Sequence, residues 1–269
     1  SESACTGAAV GASLAGMKPI VVHPRMDFML YAMDAVVNQA AKWSHMLGGQ
    51  AHPGVTIRSI INRGGEQGAQ HSQALHAWFA HVPGLRVVMP TTVADARDLL
   101  IASVLCNDPV MYIDDRWLYD QEDELPPVVE LDLAAQRPEI SVVGSDITIV
   151  ASGHASLLAR EAEKLLKCEN ISAEVIDVRV LNPFHAEEII ESVKKTKNLL
   201  VVDSGWISGG FSAEIIAKVV EQLPVDCLSN PPVRVALPDA PAPTSRVLEK
   251  AYYTSTDDVV KAVKKILNS

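Results

Sequence analysis

Val55-Thr56-Ile57-Arg58-Ser59-Ile60-Ile61, continued by Asn62-Arg63-Gly64-Gly65-Glu66-Gln67-Gly68-Ala69-Gln70-His71-Ser72-Gln73, is the stretch from which the fold can be read. Its first part is rich in β-branched residues and predicts a strand. The glycine-rich run after it marks a loop. Helical spacing resumes afterwards, and a helix is expected over residues 73–81. Strand, loop and helix in this order belong to a βα unit, and α/β sheets bind ligands at the carboxyl ends of their strands. His71 falls where that helix would begin. An imidazole there can move protons near neutral pH. A loop histidine that caps a helix is the plainer reading of the same position.

Outward from this stretch the alternation continues in both directions. Upstream, small residues predict a helix over 8–16, closed by Gly16, and a short strand over 19–22. Residues 27–46 carry apolar side chains around much of a helical girth, which suits a helix buried at an interface. Downstream come a strand at 87–89, a helix at 94–105 and a strand at 109–113. Acidic residues and Pro126-Pro127 then interrupt the pattern and predict a linker between about residues 120 and 140. Beyond it four strands, at 147–151, 173–178, 199–203 and 233–236, alternate with helices at 155–167, 185–195, 211–223 and 257–267. The expected fold class is α/β, with two doubly wound domains spanning residues 1–125 and 140–269.

Composition limits the function. The 269 residues are 48% hydrophobic and 21% charged, enough apolar material for a packed core. Lys plus Arg is 23 against 33 Asp plus Glu, a net charge of −10, which disfavours nucleic acid and anionic membranes as partners. No apolar run approaches the roughly 20 residues of a membrane span. The opening Ser1-Glu2-Ser3-Ala4-Cys5 does not read as a signal peptide, and its first residue is not Met. Cys5, Cys106, Cys168 and Cys227 are far apart and read as reduced thiols. His71, His76 and His81 are five apart, about 140° per step on a helix, so they share no helical face and suggest no zinc site. Gly205-Trp206-Ile207-Ser208-Gly209-Gly210 is either a phosphate cradle or a tight turn that packs a helix on the sheet.

Longer runs resemble a known family. Gln70-His71-Ser72-Gln73, Ala80-His81-Val82-Pro83-Gly84-Leu85 and Val87-Val88-Met89-Pro90 are similar to the beta subunits of thiamine diphosphate-dependent 2-oxo acid dehydrogenases. These are the decarboxylating components of the pyruvate and branched-chain complexes. Ser1-Glu2, the segment Asp34-Ala35-Val36-Val37-Asn38-Gln39-Ala40-Ala41-Lys42, Asp108-Pro109-Val110, Gly205-Trp206 and Pro238-Asp239-Ala240-Pro241 extend the likeness over essentially the whole chain. The resemblance implies a pyrimidine-binding thiamine diphosphate domain, here without its first strand and helix, followed by a transketolase C-terminal-like domain. A sheet edge would then be exposed near the start.

By the same resemblance, Glu2 corresponds to the glutamate that hydrogen-bonds the aminopyrimidine ring of the cofactor and activates it. Phe28 corresponds to the aromatic that stacks on that ring, and His71 to the histidine that handles protons and assists transfer to a lipoyl group. Val55, Ser103, Val104 and Cys106 lie near the stretch whose backbone carbonyls hold a K⁺ in some members. The chain contains no Gly-Asp-Gly, the motif that holds the diphosphate through Mg²⁺. The implied partners are therefore an alpha subunit carrying that motif, a second beta subunit, a lipoyl-bearing acyltransferase and a small 2-oxo acid, in the cytoplasm or the mitochondrial matrix. Arg25, within His23-Pro24-Arg25-Met26-Asp27, either favours an extra acidic group on the substrate or forms a surface salt bridge. Two further readings are half of a split transketolase-like enzyme, and a scaffold subunit without chemistry.

Overall fold

Ten strands form among the described residues, 1–268, of this computed structural model. They are Ile20–His23 (β1), Thr56–Ile61 (β2), Arg86–Val88 (β3), Val110–Asp115 (β4), Glu139–Val142 (β5), Ile147–Ala151 (β6), Ala173–Asp177 (β7), Val180–Asn182 (β8), Leu199–Trp206 (β9) and Val233–Leu237 (β10). The chain divides into two units, residues 1–136 with 180–183, and residues 137–179 with 184 onward.

In the first unit the sheet order is β1-β2-β4-β3-β8. The first four strands of that order are parallel, and β8 adds antiparallel to β3. Parallel strands covered on both faces read as unbroken apolar runs, and every residue of β4 is buried. β1 lies at the sheet edge, with Ile20 46% and Val22 48% exposed. Helix α1 spans Glu2–Leu14 and starts ahead of the expected 8–16, because Ser1 caps it: its Oγ accepts from the Ala4 N–H at 3.4 Å. This cap places Glu2 in the first turn.

The single helix expected over 27–46 is several helical segments in succession. Helix α2 (Met26–Met29) is followed by a 3₁₀ turn (Leu30–Ala32), a π-helical stretch (Asp34–Ala40) and α3 (Ala41–Met46). The buried positions Met26, Met29, Ala32, Val36 and Ala40 step by three, three, four and four. The tighter 3₁₀ turn keeps the three-residue step on the inner face.

Helix α4 covers only His76–Ala80, shorter than the expected 73–81. The loop before it is correspondingly longer, and His71 lies within it, not at a helix start. Gly64 shows why this loop needs glycine. Its φ is +73°, and a Cβ there would stand 2.8 Å from the Trp117 ring. Helix α5 (Val93–Leu105) opens on a Thr92–Asp95 capping box.

In the second unit the order is β10-β9-β6-β7-β5, parallel except for β5, which runs antiparallel to β7. The sequence predicts four strands here. The fifth, β5, is short and mostly exposed, so no apolar alternation marks it. Helices α6 (His154–Lys167), α7 (Glu187–Thr196), α8 (Phe211–Gln222), α9 (Arg246–Tyr252) and α10 (Thr256–Leu267) complete the unit. Ala155, Ala159, Ala162 and Leu166 of α6 pack with Val259, Val263 and Ile266 of α10 over Ile147 and Ile149. At Gly205–Gly210 the Asp203 carboxylate accepts from the N–H of Gly205 and of Ser212, both at 2.8 Å. The chain's own carboxylate thus occupies donors that a phosphate would need, and the segment is a turn that seats α8.

Candidate active site

β1 ends at His23, and its carboxyl end opens on a cavity of about 300 Å³. Glu2 and Cys5 of α1, His23, Pro24, Arg25 and Phe28 line it. His23 is only 4% exposed, and its Nε2 lies 3.1 Å from the Thr6 hydroxyl. Burial holds this imidazole below its ordinary value of 6.5, against the opposing pull of the Glu2 carboxylate. His23 is therefore uncharged at neutral pH.

The loop after β2 reaches the same end of the sheet because β1 and β2 are parallel. Asp27 ties it down: one carboxylate oxygen accepts from the Gln73 backbone N–H at 3.1 Å and from its side-chain amide at 2.9 Å. The Leu75 N–H also points at the Met26 sulfur, 3.2 Å away. Earlier in the loop, the Gln67 side-chain oxygen accepts from Asn62 at 3.1 Å, and Arg116 donates to Asn62 at 2.9 Å. Arg63, at the loop's start, is buried in an ion pair with Asp115 and lies 4.7 Å over the Trp117 ring.

These tethers decide where the predicted residues come to rest. Glu2 and Phe28 share the cavity. His71 does not line it, but its ring meets Phe28 edge-on, centroids 5.1 Å apart at 78°. An aminopyrimidine needs a hydrogen-bond partner for its ring nitrogen and a face to lie against. A carboxylate and an aromatic ring, with Val21 and Val22 completing the wall, fit those needs. Sequence reasoning assigned no part to Thr6, Asp27 or Gln73. Asp27 and Gln73 are 46 positions apart, and no spacing rule links them.

The residues expected near a potassium ion do not fit that group. The Val55 carbonyl accepts from the Val110 N–H at 2.9 Å. The Ser103 hydroxyl donates to Leu99 at 2.6 Å, and Val104 belongs to the same helix, α5. The Cys106 carbonyl accepts from the Lys18 ammonium at 2.8 Å, which also donates to the Asn107 side chain at 2.9 Å and to the Leu105 carbonyl at 3.4 Å. A fixed positive charge of the chain itself stands at these oxygens.

A larger cavity of about 440 Å³ lies elsewhere in the unit, against Thr92, Tyr112 and Leu118. Its polar groups are engaged with one another: Arg58 pairs with Asp114, and the Tyr119 hydroxyl donates to Asp114 at 2.6 Å. Asp115 is likewise paired with Arg63 and the Tyr112 hydroxyl donates to the Ala96 carbonyl at 2.9 Å, so these groups are tied down and the smaller cavity is the better candidate.

Two α/β units with mostly parallel sheets, and a carboxylate beside an aromatic ring at a strand's carboxyl end, are features of a transketolase-type protein. Residues 1–121 match the transketolase pyrimidine-binding domain, and residues 137–259 match the transketolase C-terminal domain. The chain is 37% identical over 265 residues to the pyruvate dehydrogenase E1 component subunit beta of Rickettsia felis, covering 98% of itself and 81% of that protein. It is 36% identical to the corresponding subunit of Rhizobium meliloti, of which it spans 57% while 98% of itself is covered. It is 38% identical to the acetoin:2,6-dichlorophenolindophenol oxidoreductase subunit beta of Cupriavidus necator, covering 99% of itself and 78% of that protein. A solved split-gene transketolase, an inactive beta4 tetramer, has the same fold, with a TM-score of 0.81 at 24% identity over 100% of this chain and 82% of that one. The chain belongs to the family of beta subunits of the pyruvate dehydrogenase E1 component, and is an enzyme component of the thiamine diphosphate-dependent 2-oxo acid dehydrogenase kind. Among the described residues no helix is long and apolar enough to cross a membrane.

Proposed function

We propose that this chain contributes the aminopyrimidine half of a thiamine diphosphate site in an enzyme that decarboxylates a 2-oxo acid and passes the acyl group to a lipoyl carrier. The observation that carries this reading is the shared cavity of Glu2 and Phe28 at the end of β1. Thiamine diphosphate, when bound, supplies a thiazolium carbon that adds to the oxo carbon and takes up the electrons released with CO₂. Glu2 would hold a proton at a ring nitrogen of the aminopyrimidine, and Phe28 would present its face to that ring. His71, held against Phe28, would deliver or remove protons where the acyl group leaves for the lipoyl sulfur.

The diphosphate and its Mg²⁺ fall to an alpha subunit in this reading. The sequence carries no Gly-Asp-Gly, the motif that would hold them. A second beta subunit and a lipoyl-bearing acyltransferase complete the assembly.

Calorimetric titration with thiamine diphosphate and Mg²⁺ tests the division of labour. The expected result is weak or no binding by the chain alone and saturable one-to-one binding by its complex with a Gly-Asp-Gly-bearing alpha subunit. Tight binding by the isolated chain, or none by the complex, would overturn the reading.

A further inference from the structure

The relatives differ in the molecule they act on: pyruvate in the name of some, acetoin in another. Family membership therefore leaves the substrate's outer end open, and one side chain in the cavity bears on it. Arg25 lines the same cavity as Glu2 and Phe28. Among the described residues no carboxylate lies at ion-pair distance from it. Its guanidinium donates to the Pro24 carbonyl at 3.0 Å and, at the long limit of 3.5 Å, to the neutral Gln67 amide. Its Nε is buried with no acceptor at all. Of its five N–H donors most are thus unspent.

The neighbours do not neutralise it. His23 is uncharged at neutral pH, and Gln67 and Pro24 are neutral. Asp27 makes no ion pair with it: one of its oxygens accepts twice from Gln73, and the other is buried without a partner. Glu2 lines the cavity but makes no ion pair with Arg25 among the described residues. A partly buried guanidinium with open donors and no counter-charge lacks an anion. In a chain of net charge −10 such a group also offsets the general repulsion of an acidic substrate.

Resting on the reading of this cavity as the aminopyrimidine half of a thiamine diphosphate site, beside which the 2-oxo acid is held, we infer that Arg25 selects 2-oxo acids that carry a second anionic group at the far end from the oxo acid. The group is a carboxylate or a phosphonate, either of which a guanidinium fork can hold through paired N–H bonds. Arg25 is a specificity residue in this inference and takes no part in bond breaking. Gln67 is its positioning partner, anchored in turn by Asn62 and Arg116.

The experiment uses the complex with its alpha subunit and reads decarboxylation with ferricyanide as acceptor, which removes the lipoyl step. Pyruvate and 2-oxoisovalerate are compared with 2-oxoglutarate and phosphonopyruvate. At least one dianionic substrate should exceed both monoanionic ones in kcat/KM by tenfold or more. Arg25→Met should bring that ratio to within threefold of unity, mainly through KM, and Arg25→Lys should keep part of it. A complex that turns over 2-oxo acids without such a preference, or a ratio unmoved by Arg25→Met, would overturn the inference and leave the proposed function standing. A rise in the apparent KM for thiamine diphosphate with the substrate ratio unchanged would also overturn it, by assigning Arg25 to the cofactor's diphosphate. Absence of turnover on every 2-oxo acid would remove the proposed function itself, and the inference with it.

Discussion

The imidazole of His71 rests edge-on against the ring of Phe28, centroids 5.1 Å apart, although the two residues come from a loop and a helix 43 positions apart. An aromatic pair of this kind contributes about 0.5–1.5 kcal/mol, enough to bias the orientation of a half-buried loop side chain. In the proposed function Phe28 faces the cofactor ring and His71 stands behind it, so one contact sets both. His71→Ala is expected to lower acyl transfer to a lipoyl domain by about 100-fold or more, the scale of a lost proton-transfer group. Ferricyanide-coupled decarboxylation should fall less. Equal losses in both assays would take the transfer role away from His71.

Glu2→Gln keeps the shape of the side chain and removes its acid. Its place in the first turn of α1 comes from the Ser1 cap, which the substitution leaves intact. Turnover is expected to drop by about 10²–10⁴-fold, with assembly into the alpha–beta complex unchanged on size-exclusion chromatography. Turnover within twofold of the unsubstituted complex would show that this carboxylate does no chemistry.

His23 gives a pH dependence with a defined sign. Burial depresses its pKa in the folded chain below the ordinary 6.5. The unfolded chain therefore takes up a proton first on acidification. The stabilisation is fully present above about 6.5 and is lost as pH falls through the folded value. Melting temperature should decline more steeply below pH 6.5 in the unsubstituted protein than in His23→Gln, which retains a partner for Thr6 and does not titrate. Parallel curves would mean that His23 is not held neutral by burial.

Much of this architecture was legible in the sequence for a simple reason. The apolar runs of β4, β6 and β9 are buried on both faces, and burial on both faces leaves a nearly unbroken apolar signal, while β2, half-buried at Arg58 and Ile60, is marked by its β-branched residues. β5 and α9 escaped notice because half-exposed short elements carry no such signal. The start of α1 was hidden by small residues without periodicity, and its decisive mark is a single serine cap. Of the candidate site, loop position pointed only to His71, and family likeness alone suggested Glu2 and Phe28. Glu2, Phe28 and Arg25 meet because α1, β1 and α2 converge, while the Asp27–Gln73 bond that fixes the His71 loop links two residues with no pattern between them.

Lys18 bears on the monovalent cation expected from family likeness. Its ammonium sits 2.8 Å from the Cys106 carbonyl and 2.9 Å from the Asn107 side-chain oxygen, beyond the carboxyl end of α5. A cation there also meets the negative end of the helix, an effect of about 0.3–1 kcal/mol at an exposed position. Because the chain supplies this charge itself, melting temperature should be the same in potassium chloride and choline chloride at equal ionic strength. Lys18→Met uncovers the oxygens, since Gly54 across from them has no side chain to fill the space. That variant should melt lower in choline chloride and recover part of the loss as potassium is added. A saturable gain in melting temperature with potassium in the unsubstituted protein would show that the ion enters in spite of Lys18, and that the lysine is only a surface cap on α5.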